Sequence, residues 1–337
     1  MIDFRSDTVT KPCAKIREIM FNAPLGDDVY GDDPSINKLE SVAAQRHGFA
    51  SALFCSSGTQ ANLLALMAHC ERGDEYICGQ NAHNYKFEGG GAAVLGSIQP
   101  QPIENENDGS LCFDKIRAAI KPKDFHFANT RLLSLENTIG GKVLPLSYLA
   151  QAREFTHSHQ LALHLDGARV YNAAVALEVD ITEITKHFDS VSICLSKGLG
   201  APVGSLLLGS VELINKARRW RKVLGGAMRQ AGMLAAAGHY ALEHNVSRLA
   251  DDHSNARYLA QQLSAIEGFN VDLSRDTTNM VYANVADSVD INAIAQQLKA
   301  QGIVFSPSKT LRLVTHLQIT RADIDQFIAA LTSALHV

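Results

Sequence analysis

From about residue 34 to about residue 240, short apolar runs alternate with longer stretches of helical periodicity. The apolar runs at 52–55, 75–78, 131–136, 162–166, 190–194 and 205–209 have the length and composition of buried strands. Strands that alternate with helices in this way predict a mostly parallel sheet sandwiched by helices, an α/β layout. Residues 1–25 read as an N-terminal arm carrying one short helix, and the turn Glu88-Gly89-Gly90-Gly91 punctuates the main region. The alanine- and leucine-rich stretch 228–265 predicts one long helix or two. The remainder, from about 268, reads as strand, helix, two short strands and a terminal helix. The expected division is an arm at 1–25, a large domain at 26–245 and a small α+β domain at 246–337.

Composition supports a folded two-part chain. Of 337 residues, 46% are hydrophobic and 20% charged, enough apolar material for a sizeable core. A net charge of −4 argues against nucleic acid or an anionic membrane as a partner. The six cysteines form no CxxC pair and several fall in apolar patterns. They read as reduced thiols of a cytoplasmic protein, with no metal site. The first residues are polar and charged, unlike a secretory leader, and no apolar run approaches a membrane span.

Three windows carry the chemistry. In Ser192-Ile193-Cys194-Leu195-Ser196-Lys197-Gly198-Leu199-Gly200, a lysine follows a β-prone run and precedes a glycine-rich turn. An ammonium is costly to desolvate, so a lysine held there is paired or covalently used, and its best-known use is a Schiff base with pyridoxal phosphate. Read alone, the window fits a solvated loop lysine equally well. The run Leu161-Ala162-Leu163-His164-Leu165-Asp166 ends in a carboxylate, about one strand-helix-strand unit before Lys197. In an open α/β sheet such a residue faces the ligand crevice, where it would keep a pyridine nitrogen protonated; alone it would pass for a helix cap. The third window, Ser56-Ser57-Gly58-Thr59-Gln60-Ala61-Asn62, joins a strand to an apolar helix. Free N–H groups at a helix start cradle phosphate, with Gly58 allowing close approach and Thr59 adding a hydroxyl. Together the three supply the parts of one cofactor site.

The set resembles the low-specificity threonine aldolases, fold-type I pyridoxal phosphate enzymes. The likeness rests on Asp3-Phe4-Arg5-Ser6-Asp7-Thr8-Val9-Thr10, Gly26-Asp27-Asp28-Val29-Tyr30-Gly31-Asp32-Asp33-Pro34, Ser57–Asn62, Leu165–Arg169, Leu195–Leu199 and Leu311-Arg312-Leu313-Val314-Thr315-His316, in order and at spacing. One departure is Ile139-Gly140, where many relatives carry His-Asn, so a histidine role in that loop does not transfer. The resemblance implies an aspartate aminotransferase-like fold, with a large cofactor domain and a small C-terminal one. It also implies cleavage of L-threonine, L-allo-threonine and related β-hydroxy-α-amino acids to glycine and an aldehyde. In that reading His83 stacks on the cofactor, and His126 lies near the β-hydroxyl; either histidine, or a water, removes its proton. Arginines clamp carboxylates with a planar fork, and Arg169, Arg312 and Ser6 look like the substrate-carboxylate set. Tyr30, Lys222 and Arg229 resemble residues that complete a neighbouring subunit's site, within a homotetramer built from catalytic dimers. Two competitors stand beside this reading: another fold-type I reaction (elimination, racemisation or amino transfer), and a non-enzymatic phosphate-binding α/β protein.

Overall fold

The computed structural model describes residues 1–274 and 277–335. The last two positions of the expected small domain therefore lie outside the described residues. In chain order the strands are β1 (Ile2–Asp3), β2 (Ser51–Cys55), β3 (Asp74–Gly79), β4 (Gln99–Ile103), β5 (Asn129–Glu136), β6 (Ala162–Asp166), β7 (Ser190–Cys194), β8 (Ser205–Gly209), β9 (Phe269–Val271), β10 (Met280–Val285), β11 (Ile303–Val304) and β12 (Thr310–Val314). Seven of them form the main sheet, in the order β2-β8-β7-β6-β5-β3-β4. β8 runs antiparallel to both neighbours, and the other pairings are parallel.

Both faces of this sheet are apolar, because side chains alternate between faces and helices cover each one. Ala52, Phe54, Leu206 and Leu208 pack into one core, whereas Leu53, Cys55 and Leu207 pack into another on the opposite face. The helix Pro34–Arg46 closes the first face near β2, and the helices Gly58–His69 and Val211–Val223 close the second. All six strands expected from the sequence are present. β4 is additional: its run Gln99-Pro100-Gln101-Pro102-Ile103 has no strand pattern. It survives at the sheet edge, where a proline that donates no hydrogen bond is tolerated.

The small domain has its own core, built on the sheet β12-β10-β9 and the helices Leu249–Ser264, Ile291–Ala300 and Arg321–Leu335. Two strands, not one, precede the Ile291–Ala300 helix. The 228–265 region is two helices, Gly232–His244 and Leu249–Ser264. Leu249 packs in the large core while Leu259 and Leu263 pack in the small one, so the second helix ties the two together. The N-terminal arm does not stand apart. β1 pairs in parallel with β11, and Phe4 is fully buried in the small domain's core. The arm is thereby joined to the small domain.

Candidate active site

The parallel strands deliver their C-terminal ends to one edge. Asp166 closes β6 and pairs in register with Glu136, the last residue of β5, and with Ser192 of β7. β7 continues through Leu195 and Ser196 to Lys197, whose carbonyl accepts hydrogen bonds from Thr10 Oγ1 (3.1 Å) and Gly200 N (2.9 Å). The lysine is half-buried.

The Gly58–His69 helix starts at the same edge. Ser57 caps it, its Oγ accepting from Gln60 N at 3.1 Å, while Ala61 N donates to Ser57 O. That leaves the N–H groups of Gly58 and Thr59 without a protein partner among the described residues. Unpaired N–H groups at the positive end of a helix suit a phosphate. Gly58 is needed for packing as well: a Cβ there would lie 2.7 Å from Cys194 Sγ.

Asp166 is buried, and both of its oxygens are engaged. Asn62 Nδ2 donates to Oδ2 at 2.7 Å, and Ala168 N to Oδ1 at 3.1 Å. The same Asn62 nitrogen donates to Glu88 Oε1 at 2.8 Å, and Asn62 Oδ1 accepts from Ser192 Oγ at 2.6 Å. Glu88 Oε1 also takes the Nδ1 of His83 at 2.8 Å, and Glu136 Oε2 takes the His83 backbone N–H at 2.7 Å. Every ring and carboxylate in this corner is thus held by a neighbour.

The electrostatics follow. The hydrogen bond to Glu88 raises the His83 pKa above its ordinary value against the opposing pull of burial, and Asp166 adds to the rise. Burial pushes Glu88 up, partly offset by His83. Glu136 is pushed well up by burial and by the adjacent Asp166 charge. His83, Glu88 and Asp166 offer ligand atoms within 4.8 Å of one another, a spacing that a metal ion accepts. However, Asn62 already donates to both carboxylates, so these groups form a hydrogen-bonded cluster.

Arg169 follows Asp166 by three residues, across a turn in which Gly167 lies against the β7 backbone; a Cβ on Gly167 would sit 2.6 Å from Ser192 O. Its guanidinium grips Asp7, Nε to Oδ2 at 2.8 Å and Nη2 to Oδ1 at 2.6 Å. Ser6 caps the short helical turn Asp7–Val9, and Arg312 Nη2 donates to the carbonyl of Arg5 at 3.2 Å. A cavity of about 820 Å³ runs between the domains and is lined by His83, Glu136 and Arg169 on one side and Tyr282 and Arg312 on the other. That volume suits a small-molecule site.

The chain therefore gathers Lys197, Asp166, Gly58, Thr59, His83, Arg169, Ser6 and Arg312 at one end of the sheet. It does not bring His126 there, and this corrects the expectation for that residue within one chain. His126 lies three residues before β5 begins, exposed and hydrogen-bonded to Asp124. The crevice is at the other end of that strand, about 23 Å away over seven steps of ~3.3 Å. Tyr30, Lys222 and Arg229 are also exposed, and Arg229 pairs with Asp27. The chain does not direct them into its own crevice.

Sequence reasoning missed the roles of Asn62, Glu88, Glu136 and Asp7. Asn62 and Asp7 stood inside the quoted motifs, but no local pattern showed which carboxylate each would meet. Glu88 was hidden in a turn read only for its glycines.

The profile of the family described as Beta-eliminating lyase matches residues 3–288. The chain is 55% identical over 329 residues to the low specificity L-threonine aldolase of Escherichia coli strain K12, covering 98% of each. It is 42% identical over 344 residues to low-specificity L-threonine aldolase 1 of Arabidopsis thaliana, covering 99% of this chain and 96% of the other. The solved threonine aldolase structure from Leishmania major superposes with a TM-score of 0.83 at 22% identity over 99% of both chains, a likeness of fold.

Proposed function

The chain belongs to the low-specificity L-threonine aldolases within the beta-eliminating lyase family, with the fold-type I architecture of pyridoxal phosphate enzymes, and we propose that it cleaves L-threonine and L-allo-threonine to glycine and acetaldehyde. It is thus a carbon–carbon lyase that also takes related β-hydroxy-α-amino acids. The observation that carries this reading is the meeting of Lys197, Asp166 and the unpaired N–H groups of Gly58 and Thr59 at one end of the sheet, beside the cavity that Arg169 and Arg312 help to line.

Those residues fit pyridoxal phosphate. Gly58 and Thr59 would hold its phosphate, Asp166 its ring nitrogen and Lys197 Nζ its aldehyde carbon, with His83 beside the ring. When bound, the group supplies an electron sink for the pair released from the substrate Cα–Cβ bond. The protein's own part is orientation and proton handling. Arg169, Arg312 and Ser6 fix the substrate carboxylate and thereby set the direction of the Cα–Cβ bond. His83 takes the β-hydroxyl proton: it lines the crevice, and Glu88 as acceptor at Nδ1 leaves Nε2 as the basic nitrogen. Lys197 would be the residue that holds the cofactor between turnovers.

We place the protein in the cytoplasm as a homotetramer serving threonine breakdown and glycine supply. All six cysteines carry free thiols, and no helix among the described residues is long and apolar enough to cross a membrane. Phe21, Tyr30, Phe87, Val94 and Leu95 are exposed apolar side chains that suit burial against another copy. In such an assembly Tyr30, Lys222 and Arg229 complete a neighbour's site, and His126 serves a crevice only from another subunit.

The test is to incubate the holoenzyme with L-threonine and, separately, with L-allo-threonine, and to measure acetaldehyde. Release from both supports the low-specificity aldolase; release from one names its preference at the β-carbon. Ammonia and a keto acid without aldehyde would move the function to another reaction of the same cofactor.

A further inference from the structure

The segment Arg5-Ser6-Asp7 touches two of the arginines that line the cavity, Arg169 and Arg312. The Arg5 carbonyl accepts from Arg312 Nη2, and the Asp7 carboxylate takes Arg169 Nε and Nη2. Asp7 is fully buried, although a lone buried carboxylate is costly, and Arg169 is 14% exposed at its side chain. Asp7 is itself fixed: Asn279 Nδ2 donates to Oδ2 at 3.3 Å, and Ser6 Oγ lies 3.5 Å from Oδ1.

A guanidinium presents its donors on edges. Asp7 occupies the side edge, Nε with Nη2. The outer edge, Nη1 with the second hydrogen of Nη2, has no partner among the described residues, and Arg169 lines the cavity. A carboxylate fits that outer fork with two parallel hydrogen bonds.

We propose that Asp7 is a positioning residue that holds Arg169 by its side edge, so that the outer fork takes the carboxylate of the amino-acid substrate. This rests on the amino-acid reading of the crevice. The opposite role is physically distinct: an Asp7 that merely competed as an anion for Arg169 would weaken substrate binding.

The experiment is calorimetric titration of the holoenzyme with glycine and with glycinamide, which lacks the carboxylate, alongside KM and kcat for L-threonine. Asp7→Asn keeps the shape and one acceptor. It should weaken glycine binding roughly tenfold to a hundredfold, the weight of a charge-assisted hydrogen bond. Glycinamide binding should stay within about threefold, and KM should rise far more than kcat falls. Glycine binding by Asp7→Asn that is unchanged or tighter overturns the proposal. Arg169→Lys, which keeps the charge beside Asp7 and lacks the fork, should lose glycine binding similarly. The double variant should be no weaker than Arg169→Lys alone, whereas additive losses would count against a shared path. A wild-type enzyme that binds glycine and glycinamide equally would sink the amino-acid reading itself. A preference for glycine kept in Asp7→Asn would remove only the role given to Asp7.

Discussion

His83 Nδ1 lies 2.8 Å from Glu88 Oε1, the same oxygen that accepts from Asn62. This contact decides which face of the imidazole is basic and when it titrates. With Glu88 accepting at Nδ1, the proton stays on that nitrogen and the lone pair stays on Nε2.

The pH profile of turnover should report this contact. A base must be unprotonated to act, so activity rises as pH passes the His83 pKa. The bond to Glu88 raises that pKa above 6.5, placing the acidic limb above the ordinary histidine value. Glu88→Gln removes the largest raising influence and leaves Asp166 alone against burial, which lowers. The limb of kcat/KM should therefore move to lower pH, measured from about pH 5 to about pH 9. A limb that stays in place would separate Glu88 from the proton transfer.

Gly58 has no room for a side chain, because a Cβ would meet Cys194 Sγ at 2.7 Å. Gly58→Ala should weaken cofactor binding and lower stability by about 1–3 kcal/mol, the usual cost of overpacking. Adding Cys194→Ala opens the space and should restore most of both. Cofactor titration and thermal melts of the single and double variants check this; no recovery in the double variant would mean the clash is not the cause.

Asn62 serves four partners with one amide: its nitrogen donates to Glu88 and Asp166, and its oxygen meets Ser192 Oγ and, at 3.4 Å, His164 Nε2. Asn62→Ala leaves buried groups unpaired. The expected cost is about 1–3 kcal/mol in urea unfolding, together with weaker cofactor binding as Asp166 loses its restraint. Full retention of both would show that water takes over the role.

Acid should reveal the Asp7–Arg169 pair. Burial pushes the Asp7 pKa up, but Arg169 outweighs it and pulls it from 3.8 to about 2. A carboxylate depressed in the folded state stabilises it above its unfolded pKa and loses that contribution as pH falls through its folded pKa. The gap is 3.8 − 2, about 1.8, which corresponds to about 2 kcal/mol at 1.36 kcal/mol per pH unit. The stability difference between wild type and Asp7→Asn should be large at about pH 5 and shrink toward about pH 2. A constant difference in urea midpoints would contradict the pairing.

Borohydride reduction of the holoenzyme, followed by peptide mass mapping, should place the cofactor on Lys197. Lys197→Ala should release the cofactor on gel filtration and give no adduct. An adduct on another lysine would reassign the site.

How much of this was legible in the chain depended on distance along it. The six expected strands, the lysine beyond β7, the aspartate closing β6 and the glycine opening a helix are local patterns. Alternation and capping act within a few residues, so one window contains the whole cause. β4 escaped because its prolines contradict strand propensity, and only its place at the sheet edge makes them harmless. The arm at 1–25 looked separate because its partner strand, β11, lies about three hundred residues later.

The sequence by itself determined the layered α/β fold and singled out Lys197, Asp166 and the helix start at Gly58 and Thr59 as one set. The tertiary structure alone decided which carboxylates surround them. Asp7 meets Arg169 across 162 positions, and Asn62 meets Asp166 across 104. His126, with the same residue type as His83, was left at the far end of β5. Pairing of buried charges is set by the packing of whole domains, and no short window of sequence contains both members of the pair.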